Sequence, residues 1–268
     1  MLPGPSVLDV VVLDRTELAR GVILLGFYAP ELVGVTRPGQ FVMAIPPVGE
    51  RAATALAVYE AQGERASLLF FVCGVRTREL AELRPGDKLS LTGPLGNGFD
   101  LGAAQNVAIV AGGVGIASVL LPAQQLARRG SRVRLFYGAR NVEFLLDRER
   151  FAAAGCELCC ATDDGTFGHH GFITELLAQA EDKPDLILAC GPSPMLRATA
   201  FVAAELGVPA QLALEETFAC GVGGCWGCVV PLDRKSSQAP KFPETGSDFV
   251  NARVCKEGPV FWAHELRW

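Results

Sequence analysis

Val107-Ala108-Ile109-Val110 runs into Gly112-Gly113-Val114-Gly115, and this order of apolar run, glycine turn and following helix decides how the middle of the chain folds. The apolar run reads as a short buried strand. Glycines where a strand hands over to a helix let a pyrophosphate approach the helix N-terminus. The turn is not a full G-x-G-x-x-G, so a nucleotide site needs support from its surroundings. The surroundings supply it. A helix is expected to about Arg129, then a strand Arg132 to Tyr137, a helix near Asp147 to Ala154 and a strand Glu157 to Ala161. A helix near Thr174 to Gln179, a strand Leu186 to Ala189 and a helix Ser193 to Leu206 complete the pattern. Alternating strands and helices imply a parallel sheet covered on both faces. Cys190-Gly191-Pro192 ends the last strand as Gly112 to Gly115 ends the first, so Gly112, Gly113, Gly115, Cys190, Gly191 and Pro192 are expected to line one crevice. Cys190 either sits against a bound nicotinamide ring or is a small buried thiol, the commoner fate of such a residue.

Before this region the grammar is that of strands. Val7 to Leu13, Gly21 to Tyr28, Gln40 to Ile45, Leu56 to Tyr59, Ala66 to Cys73 and Lys88 to Thr92 are apolar or β-branched runs. Arg37-Pro38-Gly39 and Arg84-Pro85-Gly86-Asp87 are turns between them, and Thr77 to Leu83 reads as an inserted helix. Many short strands of this kind suggest a small antiparallel β-barrel. Three places in it can meet a ligand: Arg51-Ala52-Ala53-Thr54, Gly74-Val75-Arg76-Thr77, and the turn Gly93 to Phe99, which contains Gly96. Each alone is a weak signal, since a lone arginine on a barrel is mostly a solvated charge and a glycine turn mostly a turn.

Near the other end stands Cys220-Gly221-Val222-Gly223-Gly224-Cys225-Trp226-Gly227-Cys228, with Cys255 further on. Three cysteines at C-x4-C-x2-C spacing with a distant fourth is the plant-type pattern for holding a [2Fe–2S] cluster. The glycines suit a loop whose N–H groups turn towards sulfur. A zinc site is the alternative, but zinc usually takes its cysteines in closely spaced pairs. Cys156, Cys159 and Cys160 fall in or beside a strand and read as core packing rather than ligands. His169 and His170 read as surface residues, and Asp163-Asp164-Gly165 as a turn. Asp233 to Asp248 is polar, with Pro240, Pro243 and Gly246, and reads as a loop between the third and fourth cysteines.

Composition narrows the class. The chain has 268 residues, half of them hydrophobic, enough for more than one domain. The net charge is −5 and no Lys/Arg run stands out, which argues against a nucleic-acid partner. Leu101 to Ala127 is uncharged and long enough to cross a bilayer, yet its glycine turn, Pro122, Gln124 and Gln125 break the apolar pattern, so no membrane span is expected. The first residues lack the charged-then-apolar order of a signal peptide. Nine cysteines, an odd count, then read as reduced thiols and metal ligands in the cytoplasm.

The order of barrel, nucleotide domain and C-terminal cysteine loop resembles the electron-transfer subunits of class 1B dihydroorotate dehydrogenases, within the ferredoxin–NADP reductase superfamily. The resemblance covers nearly the whole chain. It rests on Gly93 to Asp100, Gly112 to Gly115, Cys190 to Met195, Leu214-Glu215-Glu216 before the cysteine loop, and Val254 to Phe261 at the end. It implies an FAD-binding barrel over 1–100, an NAD(P)-binding domain over 101–212 and a [2Fe–2S] subdomain over 213–268. Arg51 would hold the FAD pyrophosphate and Thr54 the flavin edge. Gly74, Arg76 and Thr77 would form a second phosphate motif, in which Arg76 stands where the family has glycine and either adds charge or obstructs. Cys220, Cys225, Cys228 and Cys255 would hold the cluster. Electrons would pass between NAD(H), FAD, the cluster and an FMN-containing catalytic subunit such as dihydroorotate dehydrogenase, in a hetero-oligomer. Arg140, which can accept a 2′-phosphate, leaves NADP open beside the family's NAD. Two rivals stay open: a subunit of another NAD(P)H-linked complex, and a non-catalytic redox sensor that kept the cluster and lost FAD.

Overall fold

The computed structural model describes residues 6–49, 52–241 and 247–268. Arg51 lies outside the described residues, as does part of the Asp233–Asp248 stretch.

The first eight elements are β1 (Ser6–Ala19), β2 (Val22–Tyr28), α1 (Pro30–Val33), β3 (Phe41–Ile45), β4 (Thr54–Gln62), β5 (Arg65–Phe71), α2 (Val75–Ala81) and β6 (Lys88–Leu95). The six strands close into an antiparallel barrel in the order β1-β2-β5-β4-β3-β6. Closure leaves no free edge. Alternate residues point inward, so Val10, Ile23, Leu25, Phe27, Leu68 and Leu91 pack one core inside it. The outward residues are not all polar. Val22, Leu24, Tyr59 and Leu69 on the outer wall are buried against the next layer.

That layer contains β7 (Asn106–Gly112), α3 (Leu120–Arg128), β8 (Arg132–Ala139), α4 (Arg148–Ala153), β9 (Glu157–Thr162), β10 (His169–His170), α5 (Ile173–Ala178), β11 (Leu186–Cys190), α6 (Ser193–Leu206) and β12 (Ala210–Ala213). The chain then forms the hairpin of β13 (Val229–Asp233) and β14 (Phe249–Arg253) and ends on β15 (Val260–Trp262). One seven-stranded sheet runs β10-β9-β8-β7-β11-β12-β15. All its pairings are parallel except that of β15 on β12. Its central strand β7 is buried on both faces: Val107, Ile109 and Ala111 enter one core, and Ala108 and Val110 enter the other. This explains the unbroken apolar run that opens the sequence reading. The expected cytoplasm-to-bilayer ambiguity of Leu101–Ala127 resolves into β7, a 3₁₀ turn and α3, and among the described residues no helix is long and apolar enough to cross a membrane.

Two features add to the expected pattern. The expected glycine turn is itself wound: Gly113–Ser118 is a 3₁₀ turn, and α3 follows from Leu120. The tighter winding goes with close packing: a Cβ on Gly115 would stand 2.4 Å from the Cys190 carbonyl oxygen. The C-terminal segment also packs into the rest of the fold. β15 returns to the sheet, and the barrel's last turn is pinned to it. The Asn97 amide donates to the carbonyls of Val260 (2.7 Å) and Glu257 (3.1 Å), and its carbonyl accepts from Val260 N–H at 2.9 Å. Gln211 on β12, almost wholly buried, holds the next step of the chain, accepting from Asp100 N–H at 2.8 Å and donating to its carbonyl at 2.6 Å.

Asn97→Ala should therefore lower stability by about 2 kcal/mol, because three bonds are lost and backbone groups are left unpaired. The midpoint of thermal unfolding reads this, and an unchanged midpoint would show that Asn97 is not a pin.

Candidate functional site

The strand ends make the first part of the site. β7 and β11 are parallel neighbours, with Cys190 opposite Ala111. Their turns are in direct contact. A Cβ on Gly112 would meet Met195 Sδ at 2.7 Å and Pro192 Cδ at 2.8 Å, and one on Gly191 would meet the backbone of Gly112 at 3.0 Å. Gly113 has φ +51 and nothing within 4 Å of its Cβ position, so it lines open space. The structure thus brings Gly112, Gly113, Gly115, Cys190, Gly191 and Pro192 together at the carboxyl edge of the sheet, where nucleotides bind in this architecture. Side chains are absent where a nucleotide backbone would need room.

Cys190 is buried, with its thiol 3.8 Å from Glu215 Oε1. Burial pushes the thiol far above its usual range, and the Glu215 carboxylate beside it pushes the same way. Glu215 is exposed at the mouth of the crevice, yet crowding around its carboxyl raises that group too. Glu215 was not expected as a site residue. The signal was its place just past β12, a neighbour of β11, at the same carboxyl edge.

The barrel wall supplies the second part. Thr54 opens β4, paired with Ala44 of β3. Its Oγ1 is buried and has no hydrogen-bond partner among the described residues. An orphaned buried hydroxyl on a barrel wall fits a ligand edge that would take its bond. Arg76 reaches back to this strand: its Nη1 donates to the Ala53 carbonyl at 2.9 Å. Thr77 accepts at Oγ1 from the N–H groups of Cys73 (3.0 Å) and Gly74 (3.1 Å), closing the first turn of α2. Gly96 is elsewhere. A Cβ there would meet Pro259 Cδ at 2.6 Å and the Gly258 carbonyl at 2.7 Å, so this glycine serves the approach of the C-terminal segment.

The cysteines form the third part. Cys220 Sγ accepts from Gly224 N–H at 3.2 Å and from Cys225 N–H at 3.4 Å, while Cys228 Sγ accepts from Cys255 N–H at 3.4 Å. Backbone bonds thus link Cys225 to Cys220 and Cys255 to Cys228. Four thiolate ligands from one glycine-rich loop and one returning segment fit the ligand set of a [2Fe–2S] cluster. Left-handed backbone at Gly221 (φ +69), Gly223 (φ +83) and Trp226 (φ +59) turns the N–H groups inward. These donors lower Cys220 to about 6, whereas burial pushes Cys255 up to about 12.

Arg253, which the sequence did not single out, braces this loop. Its Nη1 donates to the Gly223 carbonyl at 2.8 Å, its guanidinium lies 4.2 Å from the Trp226 ring centroid, and its Nε donates to Glu257 Oε2 at 3.0 Å. The loop also rests on the barrel. Phe218 packs on Phe41 with ring centroids 5.0 Å apart, and a Cβ on Gly221 would meet Met43 Sδ at 2.5 Å. Met43 pairs with Ala55, one register step from Thr54. The cysteine loop therefore rests on the outer face of the strand that pairs with β4, while Thr54 is paired with Ala44 of the barrel core. Cys156, Cys159 and Cys160 do pack against the core, Cys156 and Cys160 on one side of the sheet and Cys159 on the other, while Cys73 is exposed. All nine are free thiols.

Residues 215–267 match the family model described as the iron–sulfur cluster binding domain of dihydroorotate dehydrogenase B, and residues 109–200 match the oxidoreductase NAD-binding domain. Among solved structures, the NADH-dependent reduced ferredoxin-NADP oxidoreductase studied for flavin-based electron bifurcation superposes with a TM-score of 0.84 and 27% identity, over 97% of this chain and 90% of that one. A ferredoxin NADP+ reductase from Neisseria gonorrhoeae with bound FAD and NADP shares the fold, with a TM-score of 0.62 and 18% identity over 75% of this chain and 92% of that one. Curated relatives named as the electron transfer subunit of dihydroorotate dehydrogenase B (NAD(+)) are 33% identical in Desulforamulus reducens, over 98% of this chain and 99% of the relative. The same name applies in Enterococcus faecalis at 34% identity, over 95% and 96%. Sharing a third of its residues with these proteins from end to end, the chain belongs to the family of dihydroorotate dehydrogenase B electron transfer subunits.

Proposed function

We propose that the chain carries electrons between NAD(H), FAD, a [2Fe–2S] cluster and an FMN-containing catalytic subunit, in the oxidation of dihydroorotate for pyrimidine synthesis. The observations that carry this reading lie on the adjacent strands β3 and β4. Met43 of β3 lies under the cysteine loop, and on β4 the buried Thr54 hydroxyl has no hydrogen-bond partner among the described residues. FAD, when bound, exchanges an electron pair with nicotinamide and single electrons with an iron–sulfur cluster. The chain's own residues position and shield. We assign 1–100 to FAD, 101–212 to NAD and 213–268 to the cluster, with β15 of the last segment completing the sheet of the second.

Roles follow by place. Cys220, Cys225, Cys228 and Cys255 hold the cluster. Thr54 donates to the flavin edge, Arg76 and Gly74 serve its phosphate side, and Thr77 shapes that turn; the pyrophosphate role of Arg51, which lies outside the described residues, rests on the family's motif alone. Gly112, Gly113, Gly115, Gly191 and Pro192 make room for the nucleotide, while Cys190 and Glu215 wall off the nicotinamide end. NAD is favoured over NADP. Asp163 and Asp164 donate their backbone N–H groups to Ala139 and Arg140 carbonyls, so two carboxylate residues stand beside the exposed Arg140 and disfavour a 2′-phosphate. Nine free thiols and a thiolate-held cluster favour the cytoplasm. A second reading, a subunit of another NAD(P)H-linked complex, is supported by the likeness to the reduced ferredoxin-NADP oxidoreductase.

The test is anaerobic titration of the purified protein with NADH, followed by addition of a dihydroorotate dehydrogenase catalytic subunit. Flavin and cluster should both be reduced, NADPH should act more slowly, and dihydroorotate oxidation should become NAD-linked. Reduction without coupling to that subunit would favour the second reading, and a cluster with no flavin would sink the first. Cys225→Ser should abolish coupled turnover and bleach the cluster absorbance while NADH still reduces FAD. Thr54→Val should act in opposite directions on two readouts. It removes an unpaired buried hydroxyl, so the flavin-free protein should gain about 1 kcal/mol, while FAD binding should weaken about tenfold. Equal FAD affinity in Thr54→Val would remove Thr54 from the site.

A further inference from the structure

Tyr59 on β4 and Tyr137 on β8 are fully buried, and neither lines the crevice. Each directs its hydroxyl at the segment between β8 and α4. Tyr59 donates to Asp147 Oδ2 at 2.6 Å. Asp147 has φ +49, a left-handed conformation that a non-glycine residue adopts only when its surroundings hold it. Arg150 is part of that hold: its Nε lies 2.9 Å from the same Asp147 oxygen and its Nη1 2.6 Å from Glu60 Oε2. Gln124 of α3 donates to Glu60 Oε1 at 3.3 Å. Consecutive barrel residues are thus tied by directional bonds to α3 and α4 of the nucleotide layer.

Tyr137 continues the line. Its hydroxyl accepts from Leu146 N–H at 3.0 Å and stands 3.1 Å from the carbonyls of both Gly113 and Phe144. It has one proton and donates to one of them at a time. Burial raises both phenols far above their usual range, so both stay protonated donors at any working pH. When Tyr137 donates to Gly113, one line runs from β4, the strand that Thr54 opens, through Tyr59, Asp147, Leu146 and Tyr137 to the Gly113 carbonyl in the nucleotide turn. At the opposite end the barrel's last turn is bonded to β15 and β12 through Asn97 and Gln211; between the two ends the layers meet largely through apolar packing, with Val22, Leu24, Leu69, Ile116 and Val119 in one core. Apolar contact holds two layers together but fixes their offset less sharply than hydrogen bonds do.

We propose that the line Tyr59–Asp147–Tyr137–Gly113 sets the offset between the flavin wall and the nucleotide turn, making Tyr59, Asp147 and Tyr137 positioning residues for hydride transfer. The inference rests on the function proposed above. Hydride transfer needs the nicotinamide C4 and the flavin N5 in near-contact, so small displacements of one layer slow the step without removing either ligand.

The test uses the holoprotein with FAD and cluster in place, in anaerobic stopped flow. Tyr59→Phe and Tyr137→Phe should each slow flavin reduction by NADH by about tenfold, because a shift of well under an ångström already costs rate on this scale. The long-wavelength absorbance of the flavin–nicotinamide complex should fall, while flavin and iron contents and the NADH concentration for half-maximal rate stay unchanged. The double variant should be no slower than about the slower single one, since both break one line. Asp147→Asn keeps an acceptor oxygen for Tyr59 and should retain most of the rate. If Tyr59→Phe does not hold FAD, Tyr137→Phe carries the same comparison from the other end, with Asp147→Asn as the variant that keeps the line. Phenylalanine variants that melt lower yet reduce flavin within twofold of the unaltered protein overturn the inference and leave the tyrosines a structural role. An unaltered protein that NADH does not reduce overturns the proposed function first, before any variant is compared.

Discussion

The return of β15 onto β12 is the constraint on which the rest of the molecule depends. It is the one antiparallel pairing in the seven-stranded sheet, and it comes after the cysteine loop and the β13–β14 hairpin have been laid out. Chain that leaves the sheet at Ala213 and must rejoin it at Val260 can only form a closed excursion. Asn97 bonds to that returning segment from the barrel side, so barrel, sheet and cysteine loop meet along one short run of backbone. Gly96 and Gly258 are small because the two backbones pass so close there. The excursion packs on the sheet through Cys228, Leu232, Ala252, Val254 and Cys255 and on the outer face of β3, where Phe41 and Met43 receive Phe218 and Gly221.

The site is built more from missing side chains than from reactive ones. Gly112, Gly115 and Gly191 admit backbone to within contact distance, and a methyl group at any of them would collide. The titratable pair at the crevice, Cys190 and Glu215, is held towards its neutral forms by its surroundings. Such a lining suits chemistry that cofactors carry and that the protein orients. Charge is concentrated at braces instead. Arg253 with Glu257 and Arg150 with Asp147 and Glu60 are partly buried ion pairs that secure loops rather than contact the crevice.

Much of this was legible in the residues. β7 shows its burial on both faces through an uninterrupted apolar run, and the extents of β8, β11 and α6 follow from period and punctuation. Ligand spacing marks the cysteine loop because four sulfurs must converge, whatever the fold around them. Short strands such as Ala210–Ala213 and Val260–Trp262 were not legible, since three or four residues carry no period and owe their form to their partners. Arg253, Asn97 and Glu215 escaped for a related reason. Their roles depend on contacts across 30, 163 and 25 residues, and nothing local distinguishes them from surface polar groups. The altered Arg76 shows the limit most clearly. Its chemistry suggested phosphate or obstruction, and only the folded chain reveals that it holds the Ala53 carbonyl.

The four sulfurs of the cysteine loop do not share one environment. Cys228 and Cys255 are buried, Cys220 is half-buried and Cys225 is exposed. The nest therefore has a dry side against the sheet and a wet side towards solvent. Negative charge is costlier on the dry side than on the wet one. Such a gradient gives the centre a polarity of its own: a rear face insulated by the chain's last strand, and a front face on which water, or whatever displaces it, sets the local dielectric.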